Sequence, residues 1–246
     1  MCRLFAVRAD RPVRVRRAFE ALKQQALEHK DGWGIARFDS DPPHLEVNVT
    51  PAHQCARFNQ LGEELATQSL ITHLRLASVG SVTERNAHPF YARGWAFMHN
   101  GTVARFKEHR ARIERHIAPH HLAQVRGETD SETCFALFRT VLDGIADPGL
   151  DDVTRALARV MTTVAGVTDA GDAEKPSAMN FLVTDGRRLV ATRRGRTLFL
   201  SSEPGARFIA SERLWDDGAW REIAEDGIVG IDERLEVTHS RVSDWA

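Results

Sequence analysis

The chain has 246 residues, of which 42% are hydrophobic and 27% charged, with a formal net charge of -1. That balance suits a soluble protein with one sizeable core and argues against a chain built mainly to hold nucleic acid or anionic lipid. No run of about 18 apolar residues occurs, which excludes a helical membrane span, and the N-terminal MCRLFAVRADRPVRVRR lacks the apolar stretch of a secretory signal.

In chain order, residues 3–7 (RLFAV) read as a short strand. A helix is predicted over 13–29, where Val15, Phe19, Leu22 and Ala26 share one face. The basic run Arg11 to Arg17 is then expected on its solvated side. Gly32–Phe38 reads as a strand entered through glycine, and 44–49 as its hairpin partner. Further strands are predicted at 69–77 and 95–98, then helices at 103–117, 130–144 and 150–165. The second of these opens with Asp130-Ser131-Glu132, acidic and hydroxyl residues suited to a helix N-terminus. After a loop from Gly166 to Ser177, strands are expected at 179–184, 188–193, 197–201, 207–210, 227–231 and 234–239. Asp185-Gly186 is a hairpin turn between the first two. Strands, then helices, then strands on short connections predict an α+β fold with antiparallel sheets, in a single domain.

The three cysteines, Cys2, Cys55 and Cys134, are too few and too far apart for a disulfide framework, so a reducing cytoplasm is the expected compartment. Cys2 stands where removal of Met1 would leave a thiol and a free α-amine on one residue. Such an amine titrates near 7.7–8.0 and can accept the thiol proton, making a nucleophile with its own base. By position alone the commoner reading is a small apolar residue opening a strand. His99-Asn100-Gly101 follows the apolar WAFM and sits at a strand end. An Asn amide and a glycine N–H can stabilise a developing oxyanion, although Asn-Gly more often means a turn. Arg75, inside a strand rich in apolar residues, needs a carboxylate, either from a ligand or from a structural Asp or Glu. Asp130 can be a helix cap. His88 lies in the proline-stiffened loop Asn86-Ala87-His88-Pro89.

Taken in order, MCRLF, DGWGIA, THLRLAS, NAHPF, MHNGTV and the Asp130 of GETDSE resemble the class II glutamine amidotransferases, of the N-terminal-nucleophile hydrolase superfamily. The likeness covers the first 145 or so residues closely, and NFLVTDGRRLVATR and ASERLW are similar to segments of the small stand-alone members. The resemblance implies a four-layer αββα sandwich of two antiparallel sheets spanning residues 2–246. It implies Cys2 as nucleophile with its α-amine as base, and Asn100 and Gly101 as the oxyanion hole. Arg75 would hold the substrate α-carboxylate, Asp130 the α-ammonium, and His88 would lie nearby on the substrate loop. Leu76 stands where ammonia-channelling synthases usually carry an aromatic residue, and Ser78 replaces their usual threonine. The implied activity is cleavage of the side-chain amide of glutamine or a γ-glutamyl compound through a thioester, without a cofactor. The alternatives are a glutaminase subunit serving a separate synthase and a non-catalytic γ-glutamyl-binding protein. A partner synthase or self-association fits the first of these.

His116, His120 and His121 are close in sequence, but Pro119 interrupts the helix that would align them and no neighbouring Cys or Asp/Glu completes a ligand set. A solvent-exposed helix end, and no metal, is expected there. No phosphate-cradling glycine motif is present.

Overall fold

Alternating inward and outward residues build two sheets, and each sheet buries both of its faces. The computed structural model describes residues 2–169, 175–217 and 220–245. Met1, expected to be removed, and part of the expected loop 166–177 lie outside the described residues.

The chain opens with β1 (Arg3–Arg14), α1 (Arg16–Gln25), β2 (Trp33–Arg37), β3 (His44–Asn48), α2 (Ala56–Glu64) and β4 (Ala66–Leu74). Then come β5 (Phe90–Ala92), β6 (Trp95–Thr102), α3 (Phe106–Glu114), α4 (Pro119–Leu122), α5 (Asp130–Val141) and α6 (Leu150–Thr168). The C-terminal part holds β7 (Ala178–Thr184), β8 (Leu189–Thr192), β9 (Phe199–Glu203), β10 (Ala206–Ala210), β11 (Trp220–Glu222), β12 (Gly227–Ile231) and β13 (Val237–Arg241). One sheet has the order β11-β9-β10-β1-β4-β2-β3 and the other β13-β12-β8-β7-β6-β5, with antiparallel pairing throughout.

Three apolar layers follow from the period-two alternation of strand side chains. Phe5, Val7, Trp33, Ile35, Leu70 and Phe208 pack outward under α1 and α2, with Phe19, Leu22 and Phe58. Phe97, Phe181, Val183 and Val190 pack outward on the other sheet, under Phe138, Leu157, Met161 and their neighbours from α5 and α6. Between the sheets lie Leu4, Ala6, Ala36, Ile71, Met98, Leu182 and Ile209. The result is the helix–sheet–sheet–helix sandwich expected.

Several boundaries differ from the pattern in the sequence. Strand β1 runs on through Arg14, with an irregular register between Arg8 and Val13. Arg11 and Arg14 therefore extend a strand, and only Arg16 and Arg17 begin the helix, where they pair with Glu20, Glu63 and Asp217. The helix expected over 103–117 is shortened to 106–114 and followed by a separate turn of helix at Pro119. The expected strand 234–239 forms at 237–241, and α6 continues to Thr168. Helix α2 and the three-residue strands β5 and β11 were not expected, the two strands being too short to show alternation.

Candidate active site

The pleat that sends Leu4 and Ala6 between the sheets sends Cys2 the same way, two residues before Leu4 and just ahead of β1. On β4 and one residue past it the same parity takes Ile71, His73 and Arg75; on β6 it takes Met98 and Asn100; on β10 and one residue past it, Ile209 and Ser211. These positions fall at one end of the space between the two sheets.

Cys2 Sγ lies 3.4 Å from both the N–H and the carbonyl oxygen of Leu76. Those are its hydrogen-bond partners among the described residues. Burial pushes the thiol above its ordinary pKa, the Leu76 backbone and the Arg75 charge work against that, and Asp130 works with it. Arg75 and Asp130 therefore both lie near enough to act on the sulfur. Asp31 anchors the segment behind it: its carboxylate accepts from Ala77 N–H at 2.7 Å, and Arg75 N–H donates to Gly32 O at 2.9 Å.

Arg75 is 3% exposed and donates to two carbonyl oxygens of the following loop, Ser81 at 3.0 Å and Val79 at 3.4 Å. Among the described residues it forms no ion pair, so the internal salt bridge that competed with a ligand role does not occur. Burial lowers its pKa, partly offset by Cys2 and Asp31. Asp130 is equally buried, at 4% exposed, and likewise forms no ion pair among the described residues. Its oxygens accept from Val103 N–H and Ser131 N–H, both at 2.8 Å. Thr129, not Asp130, caps α5, accepting from Glu132 N–H at 3.2 Å, while Glu132 reaches back to Arg126 N–H and Gly127 N–H. A buried cation and a buried anion thus share one site without neutralising each other.

Asn100 donates through Nδ2 to Ser211 Oγ at 3.2 Å, and its Oδ1 is buried with no partner. A Cβ at Gly101 would come within 1.9 Å of Ala178 O, so only glycine permits β6 and β7 to approach this closely. His99 points to the opposite face, where its ring nitrogens meet Ser131 Oγ at 3.0 Å and Ala178 O at 2.9 Å.

His88 is buried against His73, ring centroids 4.3 Å apart, and against Phe90. The ring nitrogens of His88 make no hydrogen bond among the described residues, and those of His73 have only the His99 backbone to meet. Burial, with the Arg75 charge adding to it, pushes His73 down to about 3, and His88 is also held well below its ordinary value by burial, then by its neighbour. Both are neutral. The loop that carries His88 is seated on β2, where a Cβ at Gly34 would come within 2.1 Å of His88 O.

The sequence reading did not single out Asn180 or Ser211. Asn180 sits opposite Asn100 in the sheet and ties down the 194–197 turn through Arg194 N–H, Arg196 O and Thr197 O. Both lie within segments noted for family likeness, NFLVTDG and ASERLW, but a polar residue in an apolar run was the only available signal.

The histidine cluster differs from expectation. Asp143, just beyond α5, meets His121 Nε2 at 2.9 Å and His120 Nε2 at 3.1 Å, so a carboxylate does complete a group of three. His121 is 1% exposed and does not lie on a solvated helix end. His116 takes no part. The chain fold, not the local sequence, brings Asp143 there.

A family model described as "Glutamine amidotransferases class-II" matches residues 1–204. A Saccharomyces cerevisiae protein named "Probable glutamine amidotransferase DUG3" is 28% identical over 226 residues, covering 78% of this chain and 63% of that one. The chain thus spans less than two thirds of the yeast relative. A Mycobacterium tuberculosis "Gamma-glutamyl-hercynylcysteine sulfoxide hydrolase" is 24% identical, covering 86% of this chain and 79% of that protein. In fold, a glutamine aminotransferase class-II domain protein from Silicibacter pomeroyi superposes with a TM-score of 0.73 over 98% of this chain and 99% of that one, at 23% identity. The glutamine phosphoribosylpyrophosphate amidotransferase of Bacillus subtilis gives 0.70 at 15% identity, this chain covering 49% of it. The chain belongs to the class II glutamine amidotransferases and shares the two-sheet sandwich fold of these solved structures.

Proposed function

We propose that this protein hydrolyses the side-chain amide of a γ-glutamyl compound, glutamine included, with Cys2 as nucleophile once Met1 has been removed. The observation that carries this reading is the pair of buried, mutually unneutralised charges beside the thiol. Burying an unpaired guanidinium or carboxylate is expensive, and such groups are retained where a ligand completes them. An α-amino acid brings a carboxylate for Arg75 and an ammonium for Asp130, and its side chain then extends toward Cys2. The name of the M. tuberculosis relative, a γ-glutamyl hydrolase, supports the same substrate class.

In the reaction, the α-amine of Cys2 takes the thiol proton, since no imidazole or carboxylate hydrogen-bonds to Sγ among the described residues. The thiolate attacks the amide carbon, and Asn100 and Gly101 N–H hold the oxygen that becomes negative. The proton passes to the departing nitrogen, leaving a γ-glutamyl thioester that water hydrolyses. His88, neutral, shapes the loop side of the pocket and carries no charge to compete with Arg75.

The test is glutamate release from glutamine and a set of γ-glutamyl amides, using protein shown by intact mass to begin at Cys2. Turnover should vanish in Cys2→Ala. Arg75→Met and Asp130→Asn should each raise KM by ~10-fold or more, as loss of a charged hydrogen bond worth about 1.5–3 kcal/mol requires. Turnover that survives in Cys2→Ala rejects the mechanism. A wild-type chain that binds glutamine without turnover points instead to a partner-dependent glutaminase or a binding protein.

A further inference from the structure

Ser211 joins the nucleophile strand to the candidate oxyanion residue. Lying just past β10 and 2% exposed, it exchanges two hydrogen bonds with Leu4: Ser211 N–H donates to Leu4 O at 3.0 Å, and Leu4 N–H donates to Ser211 Oγ at 2.9 Å. Leu4, in β1, is two residues from Cys2, which precedes the strand on the same side. Across the gap between the sheets, the same Oγ lies 3.2 Å from the amide of Asn100. Thr197 Oγ1 holds the Ser211 carbonyl at 2.9 Å, so the serine is fixed from a third side.

The protons of this network can be counted. With the Asn100 NH2 turned toward Ser211, Oγ accepts from both Leu4 and Asn100. The hydroxyl proton then has no hydrogen-bond acceptor among the described residues, and Asn100 Oδ1 is buried without a donor. The two ends of a primary amide have nearly the same shape, and the network chooses between them. With the amide turned over, the hydroxyl donates to Oδ1 while still accepting from Leu4 N–H. Both defects disappear, and Nδ2 occupies the position that no protein group serves. A donor left unspent in a preformed site is what a developing oxyanion requires.

We propose that Ser211 is a positioning residue that sets the amide of Asn100, its hydroxyl holding Oδ1 so that Nδ2 faces the reacting carbonyl, in register with Cys2. This rests on the hydrolase reading above, in which Asn100 serves the oxyanion. Ser211 touches neither the substrate nor the thiol; it acts through Asn100, and its bonds to Leu4 hold the serine itself in place.

The experiment compares wild type, Ser211→Ala, Asn100→Ala and the double variant on the best γ-glutamyl amide. It also measures the affinity of each for glutamate and for glutamate γ-semialdehyde, whose adduct with Cys2 carries an oxygen in the oxyanion position. Removing one oxyanion donor lowers kcat by about 100–1,000-fold, and losing its orientation should lower kcat by ~10–100-fold in Ser211→Ala. KM and glutamate affinity should stay within about threefold, because neither uses the oxyanion donor. Aldehyde affinity should fall by the same factor as kcat. Adding Ser211→Ala to Asn100→Ala should cost nothing further, since the two act as one unit. Should Ser211→Ala not fold, Ser211→Cys keeps a similar shape with a weaker donor, and the same comparison is made with it. Losses that multiply in the double variant, or that fall equally on glutamate and aldehyde, overturn the role of Ser211 while leaving the hydrolase reading standing. A wild-type chain beginning at Cys2 that turns over no γ-glutamyl amide overturns both.

Discussion

Two buried neutral imidazoles, their rings 4.3 Å apart and tilted by 39° between the sheets, should make the fold sensitive to mild acid. His73 is held at about 3 in the folded chain, against an ordinary value of 6.5, chiefly by burial. An unfolded chain takes up the proton that the folded one refuses, so stability rises with pH between those two values and is lost as pH falls below about 6.5. Each such histidine contributes a slope of about 1.4 kcal/mol per pH unit within that window. Between pH 7.5 and pH 5, His73 alone should remove about 2 kcal/mol, out of the roughly 5–15 kcal/mol typical of a folded domain. His88, lowered in the same direction by burial, works in the same sense over that range. His73→Phe keeps a ring of comparable shape against His88 and gives up only the His99 backbone contact, so it should cost no more than about 1 kcal/mol at neutral pH. Urea unfolding at pH 7.5, 6.5, 5.8 and 5.0 measures the effect. The stability difference between His73→Phe and wild type should move in favour of the variant by about 2 kcal/mol across the series. Parallel curves for the two proteins would refute the reasoning, because they would mean that His73 takes up its proton equally in both states.

Two further outcomes follow from the site. Gly101→Ala places a methyl group within 1.9 Å of Ala178 O, so β6 and β7 must separate; the variant should lose about 1–3 kcal/mol in chemical denaturation along with most of its turnover. Since burial raises the Cys2 thiol above its ordinary value, the reactive thiolate grows with pH, and the alkylation rate by iodoacetamide should still be climbing at about pH 9. A plateau already reached by about pH 8 would show a thiol activated in the resting chain.

The candidate site was legible to different depths at different residues. Cys2, Asn100, Gly101, Arg75 and Asp130 could be named because each sits in a short segment whose chemistry is unusual for its place, and because their order along the chain matches a family. What Arg75 and Asp130 bond to was not legible. Whether a buried charge meets an internal partner depends on which loop folds over it, and here the loop offers Arg75 only carbonyl oxygens. Ser211 and Asn180 were passed over because a lone polar residue at the end of a strand carries no local signal. Asp143 was missed beside His120 and His121 because its approach is set by the packing of α4 on α5.

By itself the sequence determined the alternation that gives each strand a face toward the other sheet and a face toward a helix. It determined the helix stripes that cover those outer faces, and the thiol at position 2. These depend on neighbours a few residues apart, so they are written in local pattern. Only the tertiary structure decided that β1 lies between β10 and β4, strands from the last and the first third of the chain. That choice brings Ser211 to Leu4 and carries Asn100 across from the second sheet. Strand order and loop closure are settled by burial and hydrogen bonding summed over the whole core, and no short window of sequence contains that sum.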